Sequence, residues 1–109
     1  MKHLLFAILE SGHIGEEILH NLSKEGYNGT VIPSTSLKHT LEHEGDIPMF
    51  FNLALFESNK FENNITLYLI LDEEQIEDVK HIINKHTNHF KNCHGGMFVV
   101  PLESYEGSF

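Results

Sequence analysis

Residues 64–85, NITLYLILDEEQIEDVKHIINK, decide the fold. Ile65, Thr66, Leu67, Tyr68, Leu69, Ile70 and Leu71 form a β-rich, mostly apolar run, which predicts a central strand. The pattern changes abruptly at Asp72. Asp72 and Gln75 stand at capping-box spacing, and Glu73, Glu74, Glu77 and Asp78 place negative charge where a helix dipole favours it. Ile76, Val79, Ile82, Ile83 and His86 then recur at helical spacing, predicting a helix to about Asn88.

Working outward, residues 3–9 are another continuous apolar run of strand length, suited to burial on both faces or at a subunit contact. Ser11 can cap the following helix, in which Ile14, Ile18, Leu19 and Leu22 share one stripe while Glu16, Glu17, Asn21 and Glu25 face away. Gly26 supplies its stop. Residues 27–35, with Thr30, Val31 and Ile32 before Pro33, predict a second strand that breaks or reaches a sheet edge at the proline. Near the C-terminus a turn over residues 93–96 leads to a short strand over 97–100, ended by Pro101.

Between the second and third strands lies a long excursion, about residues 36–63, with a polar half and an apolar half. Its apolar part, Met49 to Phe56, favours a short helix over a hairpin strand. The resulting order is βαββαβ: a ferredoxin-like α+β domain with two helices on one face of an antiparallel four-stranded sheet. Nothing remains to cover the other face, which predicts a homo-oligomer.

The chain's 109 residues suit one domain, and its apolar runs are too short for a membrane span. A domain of this size buries roughly two-thirds of its unfolded surface, so a site between subunits is expected before a deep internal one. The start carries no export pattern, and a single cysteine, Cys93, agrees with a cytoplasmic expectation. The net charge is -9, and all seven basic residues are lysines. An acidic chain without arginine is poorly suited to nucleic acid, which requires clustered cations and guanidinium forks. No G-x-S-x-G, P-loop or G-x-G-x-x-G fingerprint is present, the acidic run at 72–78 is explained by its helix N-terminus, and we expect no enzyme.

The opening strand, the Gly26-Tyr27 exit from the first helix, the long loop, and the ending Gly95-Gly96-Met97-Phe98-Val99-Val100-Pro101 resemble the P-II-like superfamily. Within it, the similarity is to the cyclic-di-AMP receptor group. The resemblance implies a homotrimer with effector clefts between subunits near the base of the long loop, and signalling to a downstream protein through residues 36–63. It places ligand-binding positions at Asn28, Thr30, Thr35, Ser36, Gly95 and Gly96. Asn28 stands where the receptor group carries arginine, and Ser34, Thr35 and Ser36 replace the glycine pair that opens its loop.

Two other readings are open. His86, His89, Cys93 and His94 lie within nine residues and could ligate zinc or copper, as a protein resembling the CutA metal-tolerance group would, and His39 and His43 are four apart in the loop. The bland counterpart makes His86 partly core, His89 a cation at a helix C-terminus and Cys93 a small buried hydrophobe. The third reading is a ligand-free structural interaction module. The sequence specifies no cofactor.

Overall fold

A computed structural model describes residues 1–10, 12–37 and 64–109. Four strands, β1 (Lys2–Glu10), β2 (Thr30–Ser34), β3 (Asn64–Asp72) and β4 (Gly95–Pro101), form one sheet in the order β2-β3-β1-β4. Every neighbouring pair is antiparallel. Helices α1 (His13–Lys24) and α2 (Glu73–Thr87) complete the ferredoxin-like α+β fold. No helix among the described residues is long and apolar enough to cross a membrane.

Alternation along the two central strands divides the sheet into unlike faces. Leu5, Ala7 and Leu9 of β1 and Leu67, Leu69 and Leu71 of β3 are buried with Ile18 and Leu22 of α1 and Val79, Ile82 and Ile83 of α2. Their alternates, Leu4, Phe6 and Ile8 with Thr66, Tyr68 and Ile70, lie on the face away from that core. The continuous apolar runs are thus explained by a strand apolar on both sides, one of them packed within the chain.

The third strand and second helix follow the sequence expectation closely. Gln75 Oε1 accepts the Asp72 N–H at 2.8 Å, closing the capping box, and the helix stops at Thr87 with Asn88 as its left-handed cap. The first helix departs from expectation at its start. Gly12, at φ 121°, occupies the cap position without a side-chain hydrogen bond, and Ser11 lies outside the described residues. Glu17 and Asn21 do not face away: both reach His86 of α2, whose Nε2 lies 3.0 Å from Asn21 Oδ1 and whose Nδ1 lies 3.4 Å from Glu17 Oε2. Polar residues here bridge the helices instead of facing solvent. Pro33 sits within β2, which runs through it to Ser34 because β2 is an edge strand. The final strand is longer than its apolar centre, starting at Gly95 and continuing to Pro101.

After α2 the chain makes an unusual turn. Asn88, His89 and Phe90 have φ of 51°, 56° and 62°, three successive non-glycine residues in the left-handed region, at a cost of roughly 1–2 kcal/mol each. Thr87, fully buried, holds the turn. Its hydroxyl donates to the Ile83 carbonyl at 2.9 Å and accepts the Phe90 N–H at 3.1 Å, while its carbonyl accepts the N–H groups of Lys91 and Asn92. The turn delivers the chain to Gly95, at φ 135°, where a Cβ would stand 1.9 Å from the Ile8 carbonyl oxygen.

Gly95→Ala will therefore destabilise the fold by at least about 2 kcal/mol, read as a lowered urea midpoint; an unchanged midpoint would refute the close approach. Tyr27, just past α1, donates its hydroxyl to Asp78 Oδ2 at 2.7 Å. That hydrogen bond, with some desolvation and the nearby carboxylate charge, pushes the Tyr27 phenol up to about 12. Its contribution to stability is complete below the unfolded phenol's pKa near 10 and is lost as pH rises toward 12. Tyr27→Phe will cost about 1 kcal/mol at neutral pH and will flatten the decline in stability between pH 10 and 12, measured by chemical denaturation.

Candidate functional site

The face of the sheet opposite the helices carries the most prominent surface feature among the described residues. Strand register aligns Thr30, Tyr68, Phe6 and Phe98 in one row across all four strands. The rings stack: Phe6 and Tyr68 have centroids 5.8 Å apart at 7°, and Phe6 and Phe98 are 5.0 Å apart at 21°. Such pairs contribute about 0.5–1.5 kcal/mol beyond burial. Flanking rows add Ile8 and Ile32 on one side and Leu4, Ile70 and Val100 on the other. Phe98 is 53% exposed, and Ile8, Ile32 and Val100 are exposed as well. Four exposed apolar side chains thus share this face.

The six sequence-predicted ligand positions divide between the two sheet edges. Asn28 and Thr30 are exposed beside and on β2, while Thr35 and Ser36 follow its end and are half-buried. Gly95 and Gly96 begin β4, at the opposite edge. Thr35 and Ser36 follow β2 at the end of the sheet where Gly95 and Gly96 begin β4, because Ser34 pairs with Asn64, Asn64 with Glu10, and the adjoining Leu9 with Gly95, whereas Thr30 lies mid-sheet opposite Tyr68 and Asn28 precedes it. Three inter-strand spacings, about 14 Å, separate the edges. One chain does not bring the six into a single cleft.

Their local settings also differ. Thr30 lies in the aromatic row of the open face, whereas Asn28 lines a 180 Å³ cleft on the helix side with Leu22, Tyr27 and Val31. The Thr35 hydroxyl is buried and has no hydrogen-bond partner among the described residues, an unspent capacity beside β2. Ser34, its neighbour, accepts a hydrogen bond from Thr66 Oγ1 at 2.9 Å. Of the glycine pair, Gly95 is demanded by the backbone, while a Cβ on Gly96 would meet open space on the apolar face. Gly29, which the sequence reading passed over, lies so close to β3 that its Cβ would stand 2.6 Å from the Tyr68 carbonyl oxygen.

The alternative metal ligands are dispersed. His86 is engaged between α1 and α2, and His89 lies in the left-handed turn. Cys93 is buried, with its thiol 3.5 Å from the His94 carbonyl, and the His94 N–H donates to Glu10 Oε1. Among the described residues no three His, Cys, Asp or Glu side chains are grouped to hold a metal ion, so the geometry adds no support to the alternative metal reading. The left-handed turn separates residues that a continuing helix would have stacked. His39, His43, the Met49 to Phe56 segment and most of the predicted signalling loop lie outside the described residues.

Comparison with known proteins supports the architecture. No family model matches the chain, and no curated protein matches it. Among solved structures it is similar to a functionally unknown protein from Pediococcus pentosaceus ATCC 25745, with a TM-score of 0.63 and 14% identity over 98% of this chain and 97% of that chain. That likeness is one of fold, carried across nearly the whole length of both chains.

Proposed function

We propose that this protein is a non-enzymatic, P-II-like signal-transduction protein. It assembles as a homotrimer through the open sheet faces and binds a small effector, cyclic-di-AMP or another nucleotide, in clefts between subunits. Signal output runs through residues 36–63 to a downstream protein. The observation that carries this reading is the exposed aromatic row Tyr68–Phe6–Phe98 with Thr30 at its end. A surface of this composition gains free energy by burial, roughly 25 cal/mol per Å² of apolar area removed from water. A second copy is the occupant that the sequence already supplies.

The division of the predicted ligand positions supports the same reading. Residues at opposite edges of one sheet can join only when the β2 edge of one copy lies beside the β4 edge of another. Thr30, exposed at the β2 end of the aromatic row, is the predicted ligand position that also lies on the proposed assembly face. No catalytic step is needed for this role.

Native mass spectrometry of the protein, alone and with cyclic-di-AMP or ATP, tests the proposal. The expected species is a trimer that gains up to three nucleotides. A monomer at micromolar concentration would overturn the assembly, and a trimer indifferent to both nucleotides would overturn the effector class. Phe98→Glu is expected to yield monomers with an unchanged far-ultraviolet circular dichroism spectrum. Thr30→Ala should retain the trimer and weaken nucleotide binding about tenfold, the loss of roughly one good hydrogen bond.

A further inference from the structure

The chain is acidic overall, yet its charge is sharply segregated. Residues 80–94 contain Lys80, Lys85 and Lys91 with His81, His86, His89 and His94, and all sixteen Asp and Glu lie elsewhere. The structure gathers part of this stretch around a surface cleft of about 260 Å³ on the outward flank of α2, lined by Glu77, Lys80, His81, Asn84, Lys85 and His89. Lys80 is 3.5 Å from Glu77, whereas Lys85 has no ion pair among the described residues. The negative end of the helix dipole offsets about half an elementary charge of this excess. The remainder stands on a chain whose net charge is -9.

We propose that this flank of α2 is a docking surface for an extended acidic segment of a protein partner. His81 and Lys85 are one four-residue step apart on α2, a rise of about 6 Å, and His89 lines the same cleft from the left-handed turn beyond the helix end. In an extended peptide, side chains on one side recur every second residue, about 6.7 Å apart. Two carboxylates at alternate positions of a strand therefore match the His81–Lys85 interval closely, with His89 beyond them at the end of the cleft and Asn84 a donor to the strand's backbone. Lysine and imidazole suit carboxylates presented singly, while the missing arginine removes the bidentate fork that favours phosphate. The flank lies on the opposite side of the sheet from the aromatic row, so it is open to a partner whether or not the sheet faces associate.

A fluorescein-labelled peptide of alternating Glu and Ser, titrated with the full chain at low salt and followed by anisotropy, tests the surface. Saturable binding is expected, weakened at least about fivefold by Lys85→Glu and by Lys80→Glu and progressively by added salt. Lys24→Glu, on α1, should change affinity less than twofold, which separates a defined surface from general attraction. Circular dichroism checks that each variant is folded. Absence of binding, equal loss in the Lys24 variant, or stronger competition by tripolyphosphate than by unlabelled peptide would overturn the proposal. The trimer and nucleotide binding are read independently in the mass spectra.

Discussion

β1 is the strand on which the structure depends. It carries a hydrogen-bonded ladder on each edge, to β3 and to β4, and an apolar row on each face. Leu5, Ala7 and Leu9 fix the helices above it, so the register of both neighbours is set by what those three side chains bury. A slip of one residue would exchange that row for Leu4, Phe6 and Ile8 and place two polar neighbours of β3, Thr66 and Asn64, beneath the helices. The same strand therefore specifies the core and presents the surface. The core and the exposed sheet face are coupled through one nine-residue segment.

The two ends of α2 illustrate how local chemistry shapes what surrounds it. At its start, the Asp72–Gln75 capping box and first-turn carboxylates satisfy groups the helix leaves open. At its end, a buried threonine performs the corresponding task for four backbone groups and sustains three left-handed residues. That unusual path releases His89 to the α2 flank while holding Cys93 inside and His94 against Glu10. The cost of the turn is repaid by hydrogen bonds centred on one hydroxyl and one carbonyl.

Much of the architecture was legible because period and punctuation agreed. The apolar run at 65–71, its acidic helix start and the 3.6-residue stripe after it identify a strand and helix without reference to distant contacts. Pro33 likewise announced an edge position. Legibility failed where a residue's role depends on a partner far along the chain. Nothing local reveals that Asn21 and Glu17 meet His86, or that Gly29 approaches Tyr68. The spatial arrangement of His86, His89, Cys93 and His94 could not be read from their spacing, because the chain between them passes through a left-handed turn. That the candidate ligand positions are separated by the width of the sheet followed only from strand order.

Pro33 has a consequence for how such a protein survives at high concentration. An open sheet edge is a template on which another strand can add, and repeated addition makes a fibre. Proline in an edge strand turns its missing N–H toward solvent, so the outer rim of β2 lacks one of the donors that a fifth strand would need. Growth in the plane of the sheet is thereby discouraged at that rim, while the apolar face remains free to pack.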